Sequence, residues 1–449
     1  MARYLKRKID NYLECWKANP DHLPLIIKGA RQVGKTASIE HFASMNYKSI
    51  IEINFATMPE YRQIVDNGYT VPNVIKAISR INSKARFIDH ATLFIFDEIQ
   101  AFPDITTTLK CFAIDGRYDV ICSGSLLGVH YHSISSISVG YKDEVEMKSM
   151  DFDEFLWALG YDNSIRDDML EHMRTFRPFS DVALKHYDDI FTDYCITGGM
   201  PQIVSNFVQK GTFEETLKLQ KLIVVGYEDD IKKYSAGLDK GRIEAVFRNI
   251  PSQLGKVNKK FQVSKLKKTA TFEDYSGAFD WLLDAGIINV SHALNPLELP
   301  LSGNCLPGIC VFYYADSGLL LSQLDEESQK DFKVNKNLGT YKGGLFECII
   351  GEALIKAGYD KLYYYKKENS PLQEEFIVRS GNRIVPIEVK AQNNQSKSLA
   401  TLINSQDYKE ITYGMKFIRG NIGYENNIIT FPHFCAFLTK EFLSGFTPN

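Results

Sequence analysis

One octapeptide constrains this chain more than any other feature. Gly29-Ala30-Arg31-Gln32-Val33-Gly34-Lys35-Thr36 satisfies the pattern GxxxxGK[ST], directly after the apolar run Leu25 to Ile27 and ahead of a helix-like stretch, Thr36 to Met45. Strand, glycine-rich turn and helix are the setting in which that pattern cradles phosphate. Glycines let the backbone turn and bring N–H groups close to phosphate oxygens, and the helix that follows points its positive end at the same anion. Gly29, Ala30, Gln32, Val33, Gly34, Lys35, Thr36 and Ala37 are therefore the expected nucleotide contacts. Lys35 would reach the β- and γ-phosphates and Thr36 would place its hydroxyl on Mg²⁺. Spacing does not choose between ATP and GTP. Arg31 is given no catalytic role, because pairing with an acid suits it as well as a phosphate does.

A second motif lies about sixty residues downstream: Leu93-Phe94-Ile95-Phe96-Asp97-Glu98, an apolar run ending in two carboxylates. Four successive apolar residues predict a central buried strand, whose carboxyl end opens on the crevice where parallel sheets bind ligands. Asp97 is expected in the Mg²⁺ shell, and Glu98 beside the attacking water. Paired acids favour hydrolysis over phosphoryl transfer to a metabolite. A third run, Val120-Ile121-Cys122, ends at Ser123-Gly124-Ser125, and one of these serines, Ser123 by preference, is placed to sense the γ-phosphate. Around these motifs apolar strands alternate with helices (LPLIIKGA, SIIEINF, TLFIFDEI, YDVICSGS), which predicts an α/β domain with a parallel sheet over residues 1–155.

With 449 residues, 44% hydrophobic and 24% charged, the chain has material for about three folded domains and is unlike disordered or collagenous sequences. No apolar run approaches the roughly 18 residues of a membrane helix, and the basic start MARYLKRKIDNYLECW reads as an amphipathic helix, not a secretory leader. The eight cysteines are scattered with no CxxC pair, the pattern of reduced thiols in a cytoplasmic protein. Net charge is −3, from 52 basic and 55 acidic residues, so any contact with nucleic acid must be local.

Residues 156–235 turn helical and charged, punctuated by Gly198-Gly199-Met200-Pro201, and predict a helical lid or linker. Residues 232–268 hold eleven Lys or Arg against Asp239 and Glu244, an excess of nine positive charges. This patch is the expected contact for double-stranded DNA. It runs into FQVSKLKKTATFEDYSGAFDWLLDAGIINV, where two short helices, the second carrying Phe279, Leu282 and Leu283, and a strand predict a winged helix over residues 236–335. A solvated helical packing module fits the same residues. From 336 to 449 the order is helix, strands, helix, strand. There Glu347, Glu375 and Glu388-Val389-Lys390 form an acid, acid, ExK series. Two carboxylates that bind Mg²⁺ and a lysine that stabilises a phosphorane meet the demands of phosphodiester cleavage. Alternating charges on a solvated strand produce the same pattern.

In order, GARQVGKT, FIFDEIQ, SGS, DFDEFLWALG, GGMP, IPSQLGKVNKKF, WLLDAGII, ADSGLL and VPIEVK resemble a prokaryotic family of AAA+-type P-loop ATPases with a C-terminal domain of unknown function. The resemblance covers nearly the whole chain. It implies an ATP-binding AAA+-like core that uses Mg²⁺, a winged-helix middle and a C-terminal fold similar to the restriction-endonuclease-like PD-(D/E)xK superfamily. Two departures stand out. Where relatives carry an arginine after a glycine, Gly140 is followed by Tyr141, so an arginine finger at that point is absent. The position of an Asp before Phe is taken by Glu375 before Phe376, which moves the carboxylate by about one methylene. The sequence leaves three roles open: an ATPase that moves its other domains on DNA, a nucleotide-gated scaffold for a protein partner, and an ATP-controlled nuclease. An oligomer in which a neighbour supplies the arginine is compatible with each.

Overall fold

A computed structural model of the chain describes residues 4–125, 140–234, 239–256, 259–325, 327–329, 331, 342–367, 370, 372–391 and 396–446. The chain divides into two compact units: Met1–Ser149 with Tyr234–Ala236 and Asp284–Gly286, and Met150–Lys233 with Gly237–Leu283 and Ile287–Asn449.

The first unit contains α1 (Lys8–Ala18), β1 (Leu25–Gly29), α2 (Lys35–Asn46), β2 (Ser49–Asn54), α3 (Val71–Ile81), β3 (Thr92–Asp97), α4 (Thr108–Asp115), β4 (Asp119–Ser125) and β5 (Asp143–Glu146). Among the described residues its five strands run in the order β2-β3-β4-β1-β5, every neighbouring pair parallel. All six residues of β3 are buried, as its continuous apolar run requires of an inner strand. Phe94 and Phe96 pack on Phe112 of α4, with Phe94 and Phe112 centroids 5.0 Å apart. Each such ring contributes roughly 1.5–3 kcal/mol by leaving water. The register Asn54↔Asp97, Phe96↔Cys122 and Gly29↔Ser125 brings the carboxyl ends of β1 to β4 to one edge.

The second unit begins with helices α5 (Phe152–Ala158), α6 (Ser164–Thr175), α7 (Asp181–Thr197), α8 (Pro201–Lys210), α9 (Glu214–Tyr234), α10 (Lys240–Leu254) and α11 (Ser276–Asp284). After β6 (Ile288–Leu294), β7 (Cys305–Tyr314) and α12 (Ser317–Ser322) follow α13 (Lys342–Lys356), β8 (Leu362–Lys366), β9 (Gln373–Ser380), β10 (Arg383–Val389), α14 (Lys397–Asn404), β11 (Gly414–Ile418), β12 (Gly423–Glu425), β13 (Ile428–Pro432) and α15 (Thr439–Gly445). Among the described residues its eight strands form one mixed sheet, β12-β13-β11-β10-β9-β8-β6-β7.

This sheet bears on the expected winged helix. Of the two short helices, the first is a single 3₁₀ turn, Val263–Lys265, and the second is α11. The strands that follow do form an antiparallel pair, β6 with β7, but β6 also pairs in parallel with β8. These strands therefore close one end of the C-terminal sheet, because pairing with β8 satisfies the backbone N–H and C=O groups along the second edge of β6. The stretch read as a helical lid or linker likewise belongs to the second unit, apart from its last residues.

Three of the motifs behind the family resemblance meet here as structural joints. Asp151 caps α5 reciprocally with Glu154, each backbone N–H donating to the other's carboxylate at 2.9–3.0 Å. Gly199 N–H donates to Asp316 Oδ2 at 2.8 Å, and Asp316 also caps α12. A Cβ on Gly199 would stand 2.0 Å from the Met150 carbonyl oxygen, so only glycine fits. Glu352, wholly buried, accepts from the Ser317 backbone and the Tyr194 hydroxyl and pairs with Lys356. No described helix is long and apolar enough to cross a membrane.

Candidate active site

The glycine-rich turn takes the shape its residues allow. Gly34 caps α2 at φ 97°, and Gln32 is left-handed at φ 67°. At Gly29 a Cβ would meet the Met147 carbonyl oxygen at 2.1 Å. Arg7 pins the turn from behind, donating to the Val33 carbonyl at 2.7 Å and the Lys148 carbonyl at 2.7 Å. Val33 and Ala30 are buried, Arg31, Gln32 and Ala37 are exposed, and α2 begins at Lys35 with its first N–H groups free of intrahelical partners.

Lys35 is buried, and its ammonium donates to the carbonyls of Gly29 and Ala30, both at 2.9 Å. Burial drives its pKa down to about 8, against the pull of Glu98 and Asp97. Asp97, on β3, gathers donors from two neighbouring strands and one helix. Asn54 Nδ2 lies 2.9 Å from Oδ2, the Thr36 hydroxyl 3.5 Å from the same oxygen, and the Ser123 hydroxyl donates to Oδ1. Ser123 is fully buried, and its hydroxyl is engaged with Asp97. Glu98, left-handed at φ 54°, accepts from Gln100. Tyr141 sits half-buried with the Lys110 ammonium 5.0 Å from its ring centroid.

The fold thus brings Lys35, Thr36, Asp97, Glu98 and Ser123 to one sheet edge. Asn54, Gln100 and Arg7 belong to the same site and escaped the sequence reading. Asn54 carried a usable signal, since it ends an apolar strand as Asp97 does. Hydroxyl and carboxylate oxygens at Thr36 and Asp97 are the hard donors that suit Mg²⁺, so the residues present fit that ion.

The C-terminal acids are arranged differently. Glu347 on α13 is buried and held by the Lys259 ammonium. Glu375 Oε2 accepts from the Val389 backbone N–H at 3.0 Å, and burial first, then Glu347, push its carboxyl up to about 8. Glu388 pairs with Lys390 at 3.0 Å. Glu374, not singled out in the sequence, is completely buried with neither oxygen hydrogen-bonded, and burial raises its pKa strongly. Among the described residues no group of three or more His, Cys, Asp or Glu side chains is arranged to hold a metal ion. Lys259 supplies a positive charge to Glu347 that the cleavage scheme assigns to a cation.

The basic patch is also partly neutralised within the chain. Lys232 pairs with Asp229, Arg242 with Asp239, and Arg248 with Glu228. Lys265, Lys267 and Lys268 stay exposed.

Residues 21–156 match a family model described as an AAA domain. Residues 188–330 and 342–434 match two models described as domains of unknown function, DUF8612 and DUF4143. Among solved structures, the chain is similar to the Walker-type ATPase PABY2304 of Pyrococcus abyssi, with 14% identity, 71% of this chain and 96% of that chain covered, and a TM-score of 0.42. It is also similar to the Thermotoga maritima RuvB Holliday junction branch migration motor (14% identity, 73% and 95%, TM-score 0.30). A third is the Aeropyrum pernix ORC1 protein in complex with DNA (11% identity, 75% and 95%, TM-score 0.29). No curated protein sequence matches the chain. Residues 21–156 thus match the AAA domain family and fold as a parallel α/β domain with a P-loop turn.

Proposed function

We propose that the chain binds ATP with Mg²⁺ at the turn from Gly29 to Ala37 and hydrolyses it. The observation that carries this reading is the meeting of the α2 N-terminus, Lys35, Thr36, Asp97 and Glu98 at one sheet edge. When bound, Mg²⁺ would be held by Thr36 and Asp97 and would neutralise charge on the β- and γ-phosphate oxygens. The backbone N–H groups of the turn and the first turn of α2 would receive the phosphates. Lys35 leaves the carbonyls of Gly29 and Ala30 for phosphate oxygens, an exchange of acceptors that needs only side-chain rotation. Asn54 and Ser123 fix the Asp97 carboxylate so that both oxygens keep their direction. Glu98, oriented by Gln100, accepts a hydrogen bond from the attacking water and aligns it with the γ-phosphorus. Lys35→Ala is expected to lower phosphate release by about 10²-fold or more with an unchanged melting temperature. Turnover equal to the parent protein would sink the assignment.

We further propose that nucleotide state moves the second unit on duplex DNA, through Lys265, Lys267 and Lys268. Replacing the three by alanine should weaken binding to any duplex sequence and flatten the salt dependence by about three phosphates' worth of slope. A nucleotide-gated scaffold with an inactive nuclease-like domain is the second reading, favoured by the ion pair of Lys259 with Glu347 and by Tyr141 at the place of an arginine. Plasmid nicking with Mg²⁺ or Mn²⁺ that disappears in Glu388→Ala or Lys390→Ala would exclude that reading and favour an ATP-controlled nuclease. Specific activity that rises with protein concentration would mean that a neighbouring copy completes the site.

A further inference from the structure

A cavity of about 430 Å³ lies in the second unit, between the loop that follows α10 and one face of the sheet. Its charged lining consists of Lys259, Lys260, Lys366 and Lys367 against Glu347 and Glu375. With every group ionised, four positive charges face two negative ones, an excess of two. Lys259 is committed to Glu347. Lys366 and Lys367 are exposed, and no carboxylate among the described residues pairs with either. The wall between them is apolar: Leu306, Ile309 and Val311 of β7, with the rings of Tyr313 and Tyr364. Such a volume lies in the range of pockets that enclose small molecules, and an apolar wall with a few convergent charges is their usual composition.

A divalent cation does not suit this lining. It would meet a net positive field and would have to displace the Lys259 ammonium from Glu347. Duplex DNA suits the exposed lysines, but its phosphate backbone offers nothing apolar to cover the wall of Leu306, Ile309 and Val311. An anion with a flat apolar body satisfies both halves at once: its charge lies on Lys366 and Lys367, and its body covers the leucine, isoleucine and valine side chains.

We propose that this cavity is a binding site for a small aromatic anion, distinct from the nucleotide site of the first unit. This inference is independent of the ATPase reading. Its two determinants separate cleanly, since Lys366→Glu with Lys367→Glu removes the charge from exposed positions, while Ile309→Trp fills the body's space.

Anilinonaphthalene sulfonate is a suitable probe, as it joins a flat apolar body to one anion and fluoresces when it leaves water. The titration uses the full chain with saturating ADP and Mg²⁺, so that the first unit's site is blocked. The expected result is one saturable site per chain, weakened by about tenfold or more in the Lys366→Glu, Lys367→Glu protein, whose melting temperature is unchanged. Ile309→Trp should abolish the signal while leaving ATP turnover at the parent rate. The absence of saturable fluorescence in the parent protein would overturn the proposal, as would a signal that neither variant alters. Binding lost in Ile309→Trp but kept in the lysine variant would show an apolar pocket with no preference for anions, which also overturns it. Displacement of the probe by a short DNA duplex at low salt would make the cavity part of a nucleic-acid surface and would equally refute a small-molecule site.

Discussion

Asp97 and Glu347 are both buried carboxylates, yet their neighbours are of opposite kinds. The hydrogen-bond donors on Asp97 are neutral, the Asn54 amide and the Thr36 and Ser123 hydroxyls, and the Lys35 ammonium it attracts is bonded to backbone carbonyls instead. Such donors orient a carboxylate without cancelling its charge, so the charge stays available to a cation. Glu347 already has a full positive charge against it, the Lys259 ammonium. A buried carboxylate is thus held by neutral donors in one unit and by an ammonium in the other. A count of acids in the sequence cannot distinguish the two, because the difference lies in which partner the fold delivers.

The largest test of this contrast removes one acid from each region. Glu98→Gln should cut the rate of ATP hydrolysis by about 10²–10⁴-fold while nucleotide binding persists, the range a positioned general base supplies. Glu388→Gln should leave that rate alone. Phosphate release and nucleotide binding, measured side by side on both variants, check the pair. Equal losses in the two would erase the distinction drawn between the regions.

A second test concerns stability and the internal ammonium. Lys259→Met leaves Glu347 buried without its partner, and breaking one side of a buried ion pair costs about 3–5 kcal/mol. Lys259 is partly exposed, so a smaller loss is expected here, read as a lower urea midpoint. Replacing both groups, Lys259→Met with Glu347→Gln, should recover most of it. Mn²⁺ should raise the melting temperature of Lys259→Met alone, because only there does Glu347 lack a cation. If Mn²⁺ stabilises the parent protein to the same extent, the ammonium does not occupy that role.

How much of this was legible in the sequence follows from the range of the interactions. The shape of the glycine-rich turn is legible, since its glycines, lysine and threonine act through local backbone geometry and lie within eight residues. The buried strand ending at Asp97 was readable from its apolar run. Asn54 was within reach of the same rule. Arg7 was not, because its acceptors are the carbonyls of Val33 and Lys148, 26 and 141 residues away, and nothing local marks an arginine for burial. The pairing of Lys259 with Glu347 spans 88 residues and was equally hidden. The charge of the basic patch is legible, and so is the i,i+3 pair of Lys232 with Asp229 inside α9, but the pair of Arg248 with Glu228 depends on how α9 and α10 pack. Strands β6 and β7 were assigned to a winged helix, and only the partner β8, some seventy residues on, places them in the larger sheet.

The smallest expected effect concerns protons at Lys35. In the nucleotide-free protein burial holds this lysine at a pKa of about 8. Phosphate oxygens favour its charged form, so the complex binds more protons than the free protein wherever Lys35 is partly neutral. Affinity for ATP should therefore be flat below about pH 7 and fall as pH rises through 8, approaching tenfold per unit, or about 1.4 kcal/mol. Calorimetry at pH 8.5 in two buffers of different ionisation enthalpy should register the matching proton uptake, roughly one proton at most. The slope should vanish in Lys35→Ala, which has no proton to gain. A slope that survives in that variant would belong to another group. A parent protein with flat affinity from pH 7 to 9 would mean that Lys35 is fully charged before nucleotide arrives. In that event the exchange from the carbonyls of Gly29 and Ala30 to phosphate would proceed without a change in protonation.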